Sequence, residues 1–364
     1  MAELVLQGEM LFFDGWSEAT VTVEDGRIVH FSDGLENTGD AAEVKKGLIF
    51  PGLLDMHTHL GDHGARGDLP SGLKECVFPG GMKHRFLERC TLDELVISIK
   101  RSLEELHHGV TFVMDYREGG SEGLQAILDA LYEGAPRVYS MGRAAEGGDI
   151  SGILENADGL GIPSLREGLS YLREMARKEH KPFSIHASEL FREDIGSIIE
   201  LEPDQLVHMV SGTEDDWRAV SDKGIPVVVC PRSNMTFNID VPLHRMLDSG
   251  LSMTLGTDNS ISSMHDIFRE MEFAWILLRK GGPSGTEAAR SVFSMAVGRT
   301  MDRTDLIGML PDVVWWWEKD WPRRGDPSNL FTVKEPSDDL WKRDPYTFAV
   351  RFLDRSRLSY TGSL

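Results

Sequence analysis

From about residue 48 to residue 258 the chain alternates short, β-branched apolar runs with longer segments of helical period. The runs are GLIFPGLLDMH, VTFVMDY (110–116), PRVYSMG (136–142), ADGLGI (157–162), PFSIHA (182–187), DQLVHMV (204–210), IPVVVCP (225–231) and SMTLGTD (252–258). Continuous apolar runs of this length, joined by helices, predict parallel strands covered on both faces. One unit shows the construction. QLVHMV leads into SGTEDDWRAVSDKG, where Thr213 with Asp216 three residues on predicts a helix start and Gly224 predicts its end. IPVVVC then opens the next strand. Eight such units predict an α/β chain closed into a (β/α)8 TIM-type barrel. The fourth run, ADGLGI, is the least regular, being short and glycine-rich.

The two chain ends read differently. ATVTVEDGRIVHF alternates at Val21 and Val23, turns at Asp25-Gly26 and resumes at Ile28, a hairpin pattern. Beyond residue 310, PDVVWWWEKDWPRRGDPSNLFTVKEPSDD is rich in proline and charge, and YTFAVRF (346–352) alternates as a strand. Joining both ends predicts a small composite β-sandwich beside the barrel. The expected division is 1–48 for the first part of the sandwich, 49–310 for the barrel and 311–364 for the second part. Trp315, Trp316 and Trp317 suit packing between the tail and the barrel, or a ligand platform.

A net charge of -21 over 364 residues argues against nucleic acid and anionic membrane surfaces as partners. Cys76, Cys90 and Cys230 lack paired or zinc-ribbon spacing, which predicts a reducing compartment, the cytoplasm. The opening MAELVLQGEM does not read as a signal peptide, and no apolar run reaches membrane-span length. The partner expected is a small-molecule substrate; homo-oligomerisation is left open.

The chemistry-bearing residues fall at strand ends. In FPGLLDMHTHLGDHG, His57 and His59 are two apart on an extended segment, so both point one way while Thr58 points the other. Two such imidazoles form half of a metal site, or simply close a surface strand. In a barrel, C-terminal strand ends share one mouth. Here they carry His57 and His59, His186 and Glu189 in SIHASE, His208 in LVHMV, and Asp258 in LGTDNS. Nitrogen and carboxylate donors suit zinc or iron. Glu189 also fits the first turn of a helix starting in SELFREDIGS.

With these motifs the chain resembles the amidohydrolase superfamily, in the cytosine/adenosine deaminase-like group that includes S-adenosylhomocysteine and methylthioadenosine deaminases. PGLLDMHTHL, HASE, LVH, CPRSN and LGTDNS carry the resemblance, which spans nearly the whole chain. It implies that His57, His59, His186 and Asp258 hold one divalent metal ion, zinc first and iron second. It implies that His208 hydrogen-bonds the attacking or developing oxygen, that Glu189 shuttles a proton, and that Asp258 also acts as a base. The implied activity is hydrolysis of a carbon–nitrogen (non-peptide) bond, removing an exocyclic amino group from a nucleobase- or nucleoside-like heterocycle as ammonia. Cleavage of a cyclic amide, as in imidazolonepropionase and hydantoinase relatives, is the alternative; a silent barrel acting as a binding module is a third. ENADGLGIPS has no lysine to bridge two metals, which favours one. Arg143 and Arg232 are candidate substrate contacts or structural ion-pair partners. His63, His84, His107, His108 and His265 are read as surface or loop histidines.

Overall fold

The computed structural model describes residues 4–298, apart from 13–14, 25–26, 40–42, 107–108, 133 and 144–149, and also residues 330–333, 340–352 and 358–360. The Asp25-Gly26 turn, His107, His108 and Trp315–Trp317 lie outside the described residues. Strands β1 (Leu4–Phe12), β2 (Gly15–Glu24), β3 (Arg27–Asp33) and β4 (Glu43–Pro51) open the chain. The β2–β3 pairing is antiparallel, as the hairpin pattern requires.

Pro51 and Gly52 then lead into β5 (Leu53–His59), followed by β6 (Val110–Arg117), β7 (Arg137–Gly142), β8 (Gly159–Ile162) and β9 (Phe183–Ala187). Strands β10 (Gln205–His208), β11 (Val227–Val229), β12 (Met253–Leu255) and β13 (Asp258–Asn259) complete the series. These nine segments form one sheet in the order β12-β11-β10-β9-β8-β7-β6-β5-β13, every pairing parallel. The sheet curls. Three residues after β12 leaves β11, the same chain pairs Asp258 with Thr58 and then Asn259 with His59. The eighth apolar run therefore lies between the seventh and the first.

Helices cover the outer face. Leu92–Glu105, Glu214–Asp222 and Gly285–Val297 each begin with a capping box, at Thr91, Thr213 and Ser284. Thr213 and Asp216 exchange the two hydrogen bonds anticipated from their spacing, and Gly224 follows the helix at φ +66°. Inside the curl, Leu54, Met56, Phe112, Met114, Tyr116, Tyr139, Met141, Val207, Val228 and Cys230 form a separate buried cluster. Each large apolar side chain there contributes about 1.5–3 kcal/mol of burial. The glycines of ADGLGI have a steric reason. A methyl on Gly161 would stand 2.6 Å from the Tyr116 ring, so glycine lets that ring fill the interior.

The chain ends do meet. Strands β14 (Leu330–Val333) and β15 (Leu358–Tyr360) extend the first four into one six-stranded sheet, β15-β14-β4-β1-β2-β3. What the structure shows of the expected sandwich is this single sheet, and the boundary expected after residue 48 falls inside β4. YTFAVRF is not a strand. Pro345 and the cap from Asp344 to the Thr347 amide start a helical turn, Pro345–Thr347, that continues as a π-helical turn, Phe348–Phe352. Phe348, Ala349 and Val350 are all buried, which an alternating strand would not allow. Tyr346 ties this segment to the small sheet through a 2.9 Å hydrogen bond to the Phe12 carbonyl. No helix among the described residues is long and apolar enough to cross a membrane.

Candidate active site

Parallel strands aim their C-terminal side chains at one mouth. His57 and His59 end β5, and Thr58, pointing away, bonds the Met114 carbonyl at 3.1 Å. His186 lies in β9, His208 ends β10, and Asp258 opens β13. Backbone strain gathers here: Ser188, His208, Met209 and Asp258 all take positive φ, at +47°, +72°, +58° and +62°. Each such non-glycine residue costs on the order of 1–3 kcal/mol, and such strain clusters at functional sites.

The donor atoms converge. His57 Nε2 lies 3.3 Å from His186 Nε2 and 3.3 Å from Asp258 Oδ1, and His59 Nε2 lies 3.7 Å from Asp258 Oδ1. Four ligands placed tetrahedrally about 2.05 Å from a zinc ion would be about 3.3 Å apart, so the spacing fits such an ion. The second contacts fit as well. His186 Nδ1–H donates to the Ile162 carbonyl at 2.8 Å, leaving Nε2 as the free lone pair. Ser233 Oγ donates to Asp258 Oδ2 at 2.5 Å and Asn259 Nδ2 at 3.2 Å, leaving Oδ1 to face the histidines.

Burial pushes His57 down to about 3 and holds His186 well below the usual imidazole range, so both rings are neutral donors. Asp258 is held well below the carboxylate range because its hydrogen bond to His57 and the surrounding histidines outweigh burial. His208 Nε2 approaches Glu189 Oε1 at 3.4 Å, and Asn234 Nδ2 donates to the same oxygen at 3.1 Å. Burial, with the nearby Asp258 charge, raises Glu189 above its ordinary value against the pull of His208. Glu189 is not a helix first-turn acid. The following helix, Ile195–Glu200, starts six residues later with Asp194 as its cap.

These groups open onto a cavity of about 610 Å³. His59, His186, Glu189, His208 and Asp258 form its floor, and Leu73, Val77, Phe78 and Phe191 supply apolar wall. Arg143 reaches the same wall and lies 3.8 Å from Glu118, whereas Arg232 sits elsewhere. Arg232 donates to the Asp266 carbonyl at 3.1 Å and faces Glu270 at 3.5 Å. Two polar groups of CPRSN not singled out beforehand, Ser233 and Asn234, serve the site because a short helix, Pro231–Thr236, turns them inward. Lys83 and Glu118 also line the cavity and carry no motif. His63 faces Glu105 at 3.3 Å and His84 lines the cavity. His265 lies in a loop, one of the two readings, and is fully buried, 2.7 Å from the Thr257 hydroxyl that also donates to Asp55 at 2.6 Å.

No protein-family model matches the chain. A protein of Methanothermobacter thermautotrophicus named "Putative aminohydrolase" is 30% identical over 284 residues, 70% of this chain and 74% of that protein. The chain belongs to the amidohydrolase superfamily. As a member it is a hydrolase of carbon–nitrogen bonds. The chain is also 26% identical to the 5'-deoxyadenosine deaminase of Methanosarcina barkeri over 323 residues, 76% of this chain and 73% of that one. Its fold matches the atrazine chlorohydrolase of Arthrobacter aurescens, solved in complex with zinc, with a TM-score of 0.74. That match covers 99% of this chain and 94% of the other at 16% identity.

Proposed function

We propose that the chain is a zinc-dependent deaminase that replaces an exocyclic amino group of a nucleobase- or nucleoside-like heterocycle with hydroxyl, consuming water and releasing ammonia. The carrying observation is the position of Glu189, half-buried, raised in pKa and held by His208 and Asn234 beside the convergent His57, His59, His186 and Asp258. A single ion fits the donor spacing, and β8 brings no lysine for a second. A divalent ion held by these four residues supplies the acidity that makes water nucleophilic near neutral pH.

The remaining steps belong to side chains. Glu189, whose carboxyl burial favours in its neutral form, delivers its proton to a ring nitrogen and so draws electron density from the carbon under attack. Asp258 Oδ1 accepts a proton from the incoming water. His208 Nε2 donates to the oxygen as it joins the ring carbon; Asp258 passes the proton taken from water to the amino group, which leaves as ammonia, and the new hydroxyl returns a proton to Glu189 as the ring carbonyl forms. The apolar wall at Phe78 and Phe191 suits a flat ring.

In the same reading the curled sheet is an eight-strand barrel, with β12 and β13 as one strand. Strands β1–β4, β14 and β15 build the smaller β part. Three free cysteines support a cytoplasmic location. The test is ammonia release from a panel of purines, pyrimidines and pterins by zinc-loaded protein and by protein stripped with chelator. Release from one class by the loaded form alone is the expected result. Ring opening without ammonia would replace deamination with cyclic-amide cleavage.

A further inference from the structure

Beside the donor cluster lies a group of charges that the reaction above does not use. Lys83, on the short helix Met82–Leu87, is only 3% exposed, although an ammonium is costly to remove from water. Its Nζ lies 2.7 Å from Glu118 Oε1 and 3.0 Å from Asp62 Oδ2. Glu118 is gripped from the other side by Arg117 Nη2 at 3.1 Å, and Arg117 in turn faces Asp115 at 3.6 Å. A buried set of five charges needs a compensating purpose.

The set ends at His59. Three groups approach its Nδ1: the Tyr116 carbonyl at 3.0 Å, Glu118 Oε1 at 3.4 Å and Lys83 Nζ at 2.9 Å. When Nε2 is the metal donor, Nδ1 carries the hydrogen, and only the carbonyl and the carboxylate can accept it. The ammonium cannot. Lys83 therefore acts on His59 through the carboxylate it grips. A carboxylate behind a ligand histidine fixes the ring's tautomer and angle and strengthens it as a donor.

We propose that Lys83 is a positioning residue for the metal site, clamping Glu118 against His59 so that the ring presents Nε2 to the ion. The inference rests on the zinc reading above. Zinc affinity, measured by competition with a chelator on the full chain, is the readout. Lys83→Met and Glu118→Gln should each weaken zinc binding about 10- to 100-fold, the range for partners of ligand histidines. The double variant should lose no more than about threefold beyond the weaker single, because both changes break one connection. The metal-free melting temperatures show whether a variant is folded, and the charge-balanced double variant serves if a single one is not. Single variants with wild-type zinc affinity, or additive losses in the double variant, would overturn the proposal. Wild-type protein that takes up no zinc would contradict this inference and the zinc reading together; variants that bind zinc as wild type does contradict this one alone.

Discussion

Replacing Gly256 with alanine should loosen the site without touching a ligand. Gly256 lies where the eighth apolar run crosses the first, its amide bonded to the Val229 carbonyl at 3.0 Å. A methyl carbon there would stand 2.7 Å from His57 Cβ, 2.9 Å from His57 N and 3.0 Å from His57 O. To restore the 3.4 Å of ordinary contact, the two strands must part by about 0.7 Å. Overpacking of this kind costs about 1–3 kcal/mol, so the melting temperature should fall by a few degrees. The larger effect falls on the metal, because ligand distances tolerate only about 0.2 Å of error. Zinc content and melting temperature are measured together, with Gly224→Ala as the control. Gly224, unlike Gly256, takes a positive φ, +66°, and a methyl there meets nothing within 4 Å. The control should lose stability, about 1–2 kcal/mol, while retaining its zinc. A Gly256→Ala protein with wild-type melting and full, tight zinc loading would refute the argument from closure to ligand placement.

Two further outcomes follow from the geometry. Arg232→Met should lower stability, by removing its hydrogen bond to the Asp266 carbonyl and its contact with the buried Glu270, and leave KM nearly unchanged; a large KM rise with unchanged melting would make Arg232 a substrate contact. Asp216, lowered to about 2 chiefly by its hydrogen bonds to Arg192, gives stability that is complete above its unfolded value near 4 and is lost as pH falls through about 2. The melting-temperature gap between wild type and Asp216→Asn should therefore be wide at pH 7 and close between pH 4 and 2; a gap independent of pH would contradict this.

The donors at strand ends were legible in the sequence because a strand fixes side-chain direction at period two. His57, His59, His186, His208 and Asp258 needed only the strand assignments to be placed at one mouth. Lys83 was not legible: it reaches the site over two short helices, Leu73–Val77 and Met82–Leu87, whose path no periodicity encodes. Asn234 and Ser233 were hidden for the same reason, by a six-residue helix after β11. His265 lies in a loop, as read, but its depth was not legible because a loop position says nothing of burial. In YTFAVRF the alternation was real but seven residues long, too short to outweigh the helix start given by Asp344 and Pro345.

The central claim is that Glu189 moves a proton in a metal-dependent deamination. Its most direct test is ammonia release by zinc-loaded wild type and Glu189→Gln on the substrate found by screening, with metal content assayed in parallel. Glutamine keeps the shape and the contact to Asn234 but carries no transferable proton. The expected result is equal zinc, a melting temperature near that of wild type, retained substrate binding and a kcat lower by on the order of 100-fold or more. Equal rates at equal zinc loading would contradict the account.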